Sequence, residues 1–160
     1  MRKEKSPRNK TIDISIEEGR HYLERCKTVR RPVRIEEVIN STIIGDMFEV
    51  VSCLPSKCVD LIIADPPYNL TKEYHGNTFQ KKKLDEYRSF TERWLDLVLP
   101  LLRDTGSIYI CCDWQSSLII GQVLMSRVIV RNRITWQREK GRGAKANWKN
   151  SMEDIWYATM

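Results

Sequence analysis

The sequence predicts an α/β fold built around a mostly parallel sheet. Two apolar runs, Val59–Ala64 and Gly106–Cys112, have the length and composition of strands that are buried on both faces. Between them, apolar residues recur at helical spacing over residues 84–103. Strands that alternate with helices are typical of βαβ units, whose strands run parallel to one another.

The first 40 residues are predicted to form a basic tail and a helical extension, separate from a main unit over residues 41–160. Residues 1–10 carry almost no apolar side chains, which favours a flexible terminus over a basic arm that contacts nucleic acid. A helix is predicted within residues 15–30, because Ser15 is a good N-cap and two glutamates follow it in the first turn.

The main unit begins with Thr42–Asp46, which predicts a short strand that ends in a turn, and residues 47–54 predict one or two helical turns. After the first apolar strand, residues 71–83 are polar and rich in lysine, which indicates a mobile surface loop. The amphipathic helix over residues 84–103 follows this loop. Beyond the second apolar strand, the pattern predicts a helix over 116–127, a strand over 128–137, a basic stretch over 138–150 and a final strand over 153–159.

Composition excludes several classes of protein. The chain has 160 residues, enough for one domain, and its 41% of hydrophobic residues excludes wholesale disorder. No apolar run approaches the roughly 18 residues of a membrane span, and no apolar stretch of a secretory signal follows the basic start. The five cysteines are therefore expected to be free thiols in a reducing compartment, and without a zinc-type spacing no metal is expected. The net charge of +6 is compatible with a polyanionic partner.

The motif Asp65-Pro66-Pro67-Tyr68 follows the first apolar strand directly. In open α/β sheets, ligands bind just beyond the carboxyl ends of the strands. The prolines lack N–H donors, so they end the strand and leave carbonyl oxygens available, while Asp65 adds a carboxylate and Tyr68 an aromatic face. Two acceptors beside one ring suit a planar amine, such as a flipped-out nucleobase with an exocyclic amino group. A plain strand-ending turn with a buried tyrosine is the alternative.

These residues resemble the amino-methylating DNA methyltransferases that use S-adenosylmethionine. Gly45-Asp46, Val59–Ala64 and Asp65–Leu70 look like the start of the permuted β group of that family, in which the catalytic half comes first. Later blocks look like its successive segments, namely Gly106–Ile110, Asn132–Trp136, Arg142-Gly143 and Glu153–Tyr157. The resemblance spans residues 41–160. It implies an incomplete Rossmann-like methyltransferase sheet, mostly parallel, that lacks the strands carrying the main cofactor turn.

The resemblance also implies roles for individual residues. Asp65 and the carbonyl of Pro66 would hold the amino group of the target base, with Pro67 and Tyr68 completing the catalytic motif and Tyr68 stacking on the base. Asp46 would contact the adenosine part of S-adenosylmethionine, and Asp65 and Asn69 would lie near the same cofactor. A helix N-cap is the alternative role for Asp46.

The sequence departs from this family in one respect. The expected turn, Phe-x-Gly-x-Gly, is not found among its seven glycines, of which only Gly141 and Gly143 form a pair, and no Phe precedes them. We interpret that pair as part of a loop facing DNA, with a solvated loop as the alternative. The predicted nucleic-acid-binding residues are Lys140, Arg142, Lys145, Asn147, Trp148 and Lys149.

The resemblance implies double-stranded DNA as substrate and a bacterial modification system in the cytoplasm. Because the cofactor turn and the recognition region are expected after residue 160, we expect a complementing chain or self-association to cover a bare sheet edge. Asp at the first motif position favours the N-6 amino group of adenine, with N-4 of cytosine as the alternative. A non-catalytic DNA-binding remnant or subunit is a further alternative, and a methyltransferase of RNA or protein amides is another.

Overall fold

A computed structural model describes residues 14–74, 77–142 and 150–160. Its helices are α1 (Ile16–Glu24), α2 (Ile35–Val38), α3 (Met47–Val50), α4 (Leu84–Val98) and α5 (Trp114–Met125). Its strands are β1 (Val59–Ala64), β2 (Lys72–Tyr74), β3 (Asn77–Phe79), β4 (Leu102–Cys112), β5 (Ile129–Arg142) and β6 (Asn150–Thr159). The predicted tail over residues 1–10 lies outside the described residues.

Most of the predicted elements are present, and local chemistry explains their ends. Ser15 caps α1 through a reciprocal capping box with Glu18, as its residue type predicts. Helix α4 gives way to a turn of 3-10 helix at Leu99–Leu101, because Pro100 cannot donate a hydrogen bond to the preceding turn. The predicted strand over residues 42–46 is wrong, since Ile43 makes only an isolated bridge to Lys27 and joins no sheet.

The main sheet has the order β1-β4-β6-β5, which confirms the α/β class. Strand β1 pairs in parallel with β4, whereas β6 pairs antiparallel with both β4 and β5. Three strands therefore share one direction and β6 opposes them, so the sheet is mixed, and the expectation of mostly parallel pairing holds only at β1–β4. Strand β6 runs antiparallel to β5 because the connection between Arg142 and Asn150 is shorter than the dozen or more residues that a parallel crossover needs.

The hydrophobic core lies between the sheet and the two long helices, α4 and α5, which pack on one face of it. Ile108 and Ile110 of β4 point into this core, as do Ile120 and Leu124 of α5. Helix α5 approaches β6 closely because Gly121 has no side chain where the Trp156 ring lies. The Trp156 indole nitrogen donates to the Ser117 hydroxyl at 3.0 Å, which fixes the ring in that position.

The opposite face of the sheet, which we call the open face, is apolar and partly exposed. Leu61 and Ile63 of β1 are 50% and 70% exposed, so the prediction that this strand is buried on both faces is wrong. Tyr109 and Tyr157 stack at 4.7 Å on the same face, in register with Ile63. The described helices that contact the sheet are on its other side, which explains the exposure. The open face comprises Leu61, Ile63, Tyr109, Tyr157, Ile134 and Trp136.

The segment between β1 and α4 also differs from expectation. The sequence predicts a mobile loop over residues 71–83, but β2 and β3 pair there as an antiparallel hairpin. Asn69 and Thr71 accept hydrogen bonds from the backbone of Lys82 and Lys81 at the far end of this segment. Such side-chain contacts to the backbone leave no mark on hydrophobic periodicity, so the pattern of the sequence does not indicate them.

Substitution of Gly121 tests the close approach of α5 to β6. A Cβ at this position would lie 2.5 Å from Cζ2 of Trp156, so we expect Gly121→Ala to lower the free energy of unfolding. The loss should be about 1–3 kcal/mol in urea titration, the usual cost of overpacking a core. Gly19→Ala in the exposed helix α1 is the matched control, because its Cβ would meet only ordinary contacts, and it should stabilise the chain by about 0.5–1 kcal/mol. Equal stability of the two variants would contradict the packing described here.

Candidate active site

The candidate site lies where β1 and β4 end side by side. Ala64, the last residue of β1, is in register with Ile110 of β4, so Asp65 leaves the sheet beside Cys111. Two prolines follow, and because neither has an N–H, the ladder with β4 cannot continue. Asp65 is exposed, and its carboxylate therefore reaches solvent at the carboxyl edge of the sheet, where ligands of α/β folds bind.

Helices α4 and α5 hold the backbone of this turn. The Tyr87 hydroxyl of α4 donates to the Pro67 carbonyl at 3.1 Å. The backbone N–H of Asn69 donates to the Ser116 hydroxyl of α5 at 3.0 Å. In the described part of the chain, no donor reaches the Pro66 carbonyl, so it remains available beside the Asp65 carboxylate. The turn therefore has a fixed backbone and two free acceptors.

Tyr68 is half-buried and packs against the hydrophobic core. Burial raises the pKa of its phenol, and the neighbouring Asp65 raises it further through its charge and a hydrogen bond. The phenol is therefore neutral at physiological pH. The stacking of Tyr68 on a base stays a prediction, and in this structure the ring lies against the core.

The cysteines beside the site are neutral thiols. Burial raises the pKa of Cys111, and the charge of Asp65 adds to this effect. Burial also raises the pKa of Cys112 to about 12. All five cysteines are free of disulfides. Since a thiolate is the reactive form, neither thiol is an activated nucleophile at neutral pH.

Asn69 is 5% exposed, and its side chain contacts the protein itself. Its Oδ1 accepts from the backbone N–H of Lys82 at 2.7 Å, and its Nδ2 donates to the Lys82 carbonyl at 3.0 Å. Both ends of the amide are thus engaged in closing the hairpin segment. The contact of Asn69 with a cofactor stays a prediction, and the geometry shows a structural role for this side chain.

Asp46 is the N-cap of α3, where its Oδ1 accepts from the backbone N–H of Phe48 at 2.8 Å. The carboxylate is exposed, so capping leaves its second oxygen free for a ligand. The following Phe48 packs at 6.2 Å from Phe90 of α4, and Phe79 of the hairpin packs at 5.9 Å from the same ring. One aromatic cluster therefore anchors both the Asp46 turn and the hairpin on α4.

The predicted nucleic-acid-binding residues are described only in part. The backbone of Lys140 and Arg142 belongs to β5, which continues to Arg142 opposite Asn150, so the predicted loop is wrong up to that residue. Lys145, Asn147, Trp148 and Lys149 lie outside the described residues. Their contacts with DNA stay a prediction.

Sequence reasoning missed the two residues that support the turn. Tyr87 was recognised only as part of the apolar stripe of α4, and Ser116 carried no signal beyond its place at the start of a helix. The Asp113 cap of α5 accepts from the Ser116 N–H at 2.8 Å and so sets the first turn of that helix. Buried Tyr87 has its pKa raised to about 12, which keeps its hydroxyl a donor.

Within the described residues, no group of three or more His, Cys, Asp or Glu side chains has the arrangement of a metal site. None of the helices described has the length and apolar character needed to cross a bilayer.

Substitution of Tyr87 tests the support of the turn. Tyr87→Phe removes the donor to the Pro67 carbonyl and should lower the free energy of unfolding by about 0.5–1.5 kcal/mol. The wild-type chain should also lose stability as pH rises above about 10, where unfolded tyrosines ionise while buried Tyr87 keeps its proton. In Tyr87→Phe this alkaline loss should be smaller.

Urea titrations at neutral and alkaline pH give the free energy of unfolding and its loss as the pH rises. Tyr157→Phe is the control, because its ring stacks on Tyr109 and its hydroxyl makes no hydrogen bond to a described residue. If both variants behave like the wild type, the Tyr87 hydroxyl does not hold the turn.

Known proteins resemble the chain in sequence and fold. The profile of the N6_N4_Mtase family, described as DNA methylase, matches residues 59–160. The Type II methyltransferase M1.MboII of Moraxella bovis is 36% identical over 110 residues, which cover 68% of this chain and 41% of the relative. The DNA adenine methyltransferase YhdJ of Escherichia coli strain K12 is 27% identical over 130 residues, covering 81% of this chain and 44% of that protein.

Among solved structures, the PvuII DNA methyltransferase, titled cytosine-N4-specific, superposes with a TM-score of 0.60 at 16% identity. The match covers 74% of this chain and 48% of that chain, and it shows a shared fold. The chain thus spans less than half the length of each of these three proteins. Because the family profile covers well over half of the chain, including the Asp65–Tyr68 turn, this protein belongs to the N6/N4 DNA methylase family.

Proposed function

We propose that the chain is the catalytic half of an S-adenosylmethionine-dependent DNA methyltransferase that modifies the N-6 amino group of adenine. The observation that carries this proposal is the pair of free acceptors at the end of β1. The Asp65 carboxylate is exposed there, and the Pro66 carbonyl lacks a donor among the described residues. An exocyclic amino group has two hydrogens, one for each of these acceptors.

The turn would act by position and charge. When Asp65 and the Pro66 carbonyl accept the two amino hydrogens, the lone pair of the nitrogen becomes available for attack on a methyl group. As the nitrogen gains the methyl, the C–S bond of the donor would break and leave a neutral thioether, and the exposed Asp65 carboxylate could accept the proton that the nitrogen loses. No enzyme nucleophile is needed, which agrees with the neutral thiols of Cys111 and Cys112. Orientation and fixed dipoles then supply most of the rate enhancement.

The residues present fit the cofactor in part. S-adenosylmethionine supplies an activated methyl group on a sulfonium, and a carboxylate with a free oxygen suits its adenosine part. The exposed Asp46 has such an oxygen, and Asp65 lies at the carboxyl edge where the methyl would be needed. The glycine-rich turn expected for the rest of the cofactor is not found in the 160 residues. We therefore propose that a further polypeptide segment completes the binding site.

The open face of the sheet supports the same conclusion. Leu61 and Ile63 are exposed on the face that α4 and α5 leave bare. Strand β1 has no neighbour on its outer edge among the described strands, so its backbone groups on that side are unpaired. Exposed apolar faces and bare edges are usually covered in a stable protein. A complementing chain with the remaining strands, or a second copy, would cover both.

Adenine is proposed over cytosine because of Asp at the first position of the motif. The E. coli relative is named an adenine methyltransferase, whereas the PvuII structure of similar fold is named cytosine-specific. Cytosine N-4 is therefore the second candidate, and product analysis of the methylated nucleoside distinguishes adenine from cytosine modification.

A DNA-binding subunit without catalytic activity is the third candidate, favoured by the net charge of +6. The modification reaction is proposed to take place in the cytoplasm.

Removal of the Asp65 carboxylate tests the catalytic proposal. Asp65→Ala should lower methyl transfer by at least about 100-fold, the usual effect of removing one stabilising group at a reacting centre. The assay uses labelled S-adenosylmethionine and double-stranded DNA, with the chain alone and mixed with the unmatched remainder of the Moraxella bovis relative. Asp60→Asn is the matched control, because Asp60 is an exposed carboxylate on the same strand that pairs with Arg103 away from the turn. Methyl transfer that survives Asp65→Ala would exclude the proposed mechanism.

Calorimetric titration with S-adenosylmethionine tests the incomplete cofactor site. We expect no measurable binding by the chain alone, and binding once the same remainder of the relative is added. In the mixture, Asp46→Ala should weaken binding about tenfold, which corresponds to the loss of one charge-assisted hydrogen bond. Glu49→Gln in the same helix, α3, serves as the control. Tight binding by the isolated chain would show that these residues form the pocket without help.

A further inference from the structure

The segment from Asn69 to Lys83 is closed on itself beside the catalytic turn. Strands β2 and β3 pair antiparallel, with Lys72 opposite Phe79 and Glu73 opposite Thr78. At the open end of this hairpin, the Asn69 amide makes two hydrogen bonds to the backbone of Lys82, at 2.7 and 3.0 Å. The Thr71 hydroxyl accepts a third bond, from the Lys81 N–H, at 3.1 Å. We call this set of contacts the clasp.

Packing on α4 holds the same segment from the other side. The Phe79 ring lies 5.9 Å from the Phe90 ring, and the Lys82 ammonium lies 5.5 Å from the centre of the Phe79 ring. Asn69 itself is tied to α5 through Ser116. The backbone of Lys81 and Lys82 is therefore fixed at both ends, so the position of their side chains follows that of the catalytic turn.

The lysines beside the clasp carry positive charges that no ion pair within the described residues neutralises. Lys81 and Lys83 are exposed, and no ion pair formed within the described residues includes either of them or Lys82. The opposite end of the sheet differs, because Lys57 pairs with Asp104 there and Arg103 pairs with Asp60. Lys57 and Arg103, at the amino end of β1, are thus neutralised by ion pairs, whereas Lys81, Lys82 and Lys83, which follow its carboxyl end, form none with a described residue.

We propose that Lys81–Lys83 form a surface that contacts backbone phosphates of duplex DNA next to the target base, and that Asn69 is the residue that positions this surface. The proposal rests on the proposed function. Lysines contact phosphates without reading sequence, and each contact releases condensed counterions from the duplex. Because the clasp already orders the backbone, less conformational freedom is lost when the ammonium groups meet the phosphates.

The salt dependence of DNA binding tests the charged surface. Fluorescence anisotropy with a labelled duplex and the full chain gives the slope of log K against log salt concentration. The double variant Lys81→Gln, Lys83→Gln should reduce the magnitude of this slope by about 1.8, since each phosphate contact contributes about 0.9. The double variant Lys57→Gln, Arg103→Gln removes the same charge at the other end of the sheet and should leave the slope nearly unchanged.

Substitution of Asn69 tests the positioning role. Asn69→Ala keeps every lysine but removes both bonds to Lys82, so it should reduce the salt slope and DNA affinity. In the background of the lysine variant, the same substitution should have a smaller effect on the slope, because Lys82 is then the one lysine of the surface that Asn69 still positions. Substitution of a residue that only supports the fold would lower the free energy of unfolding, and its effect on the salt slope would not depend on whether Lys81 and Lys83 are present. Ser89→Ala is the control, because exposed Ser89 donates within α4 to the Asp85 carbonyl and its removal leaves the clasp in place, so slope and affinity should not change.

The outcomes separate this inference from the proposed function. Asp65→Asn removes no lysine, so it should keep the full salt slope of the wild type, while methyl transfer is lost. If the wild-type chain binds DNA and the lysine variant keeps the full slope, the surface is wrong and the catalytic proposal is untouched. If the slope falls equally in both charge variants, only the net charge matters and the inference fails. Absence of salt-sensitive binding by the wild type would also overturn it.

Discussion

The inability of two consecutive prolines to continue a β-ladder is the constraint on which the site depends. Pro66 and Pro67 end β1 at the carboxyl edge of the sheet and leave two carbonyl oxygens without a strand partner. Tyr87 of α4 donates to the second of these, and the first stays free beside Asp65. One local rule of backbone chemistry therefore produces both the rigidity of the turn and its capacity to bind a donor.

The rest of the described chain supports this turn from one side. Helices α4 and α5 cover one face of the sheet, hold the turn through Tyr87 and Ser116, and close a core around Ile108 and Ile110. The other face exposes Leu61 and Ile63, in a family whose compared members are more than twice as long as the matched segment. Among the described elements, support of the turn therefore comes from the covered face of the sheet alone.

The segment from Asn69 to Lys83 shows how a side chain whose position suggests a ligand contact can instead organise the structure. Asn69 directly follows the Asp65–Tyr68 motif, and its position alone suggests a role in binding. In the fold, its amide is nearly buried and bonds to the backbone of Lys82, which is 13 residues further along the chain. That contact converts a polar, lysine-rich stretch from a loop into an ordered element whose free charges lie beside the site.

The sequence by itself determined the α/β class, the approximate positions of the longer helices and strands, and the turn at Asp65, because these follow from apolar periodicity, capping and proline chemistry within a few residues. It did not indicate that β6 inserts antiparallel between β4 and β5, or that Leu61 and Ile63 are exposed. Nor did it identify Tyr87 and Ser116, whose partners in the turn lie 20 and 47 residues away. Only the tertiary structure decided these features, because strand order, the covered face and long-range hydrogen bonds depend on contacts between segments that no local pattern encodes.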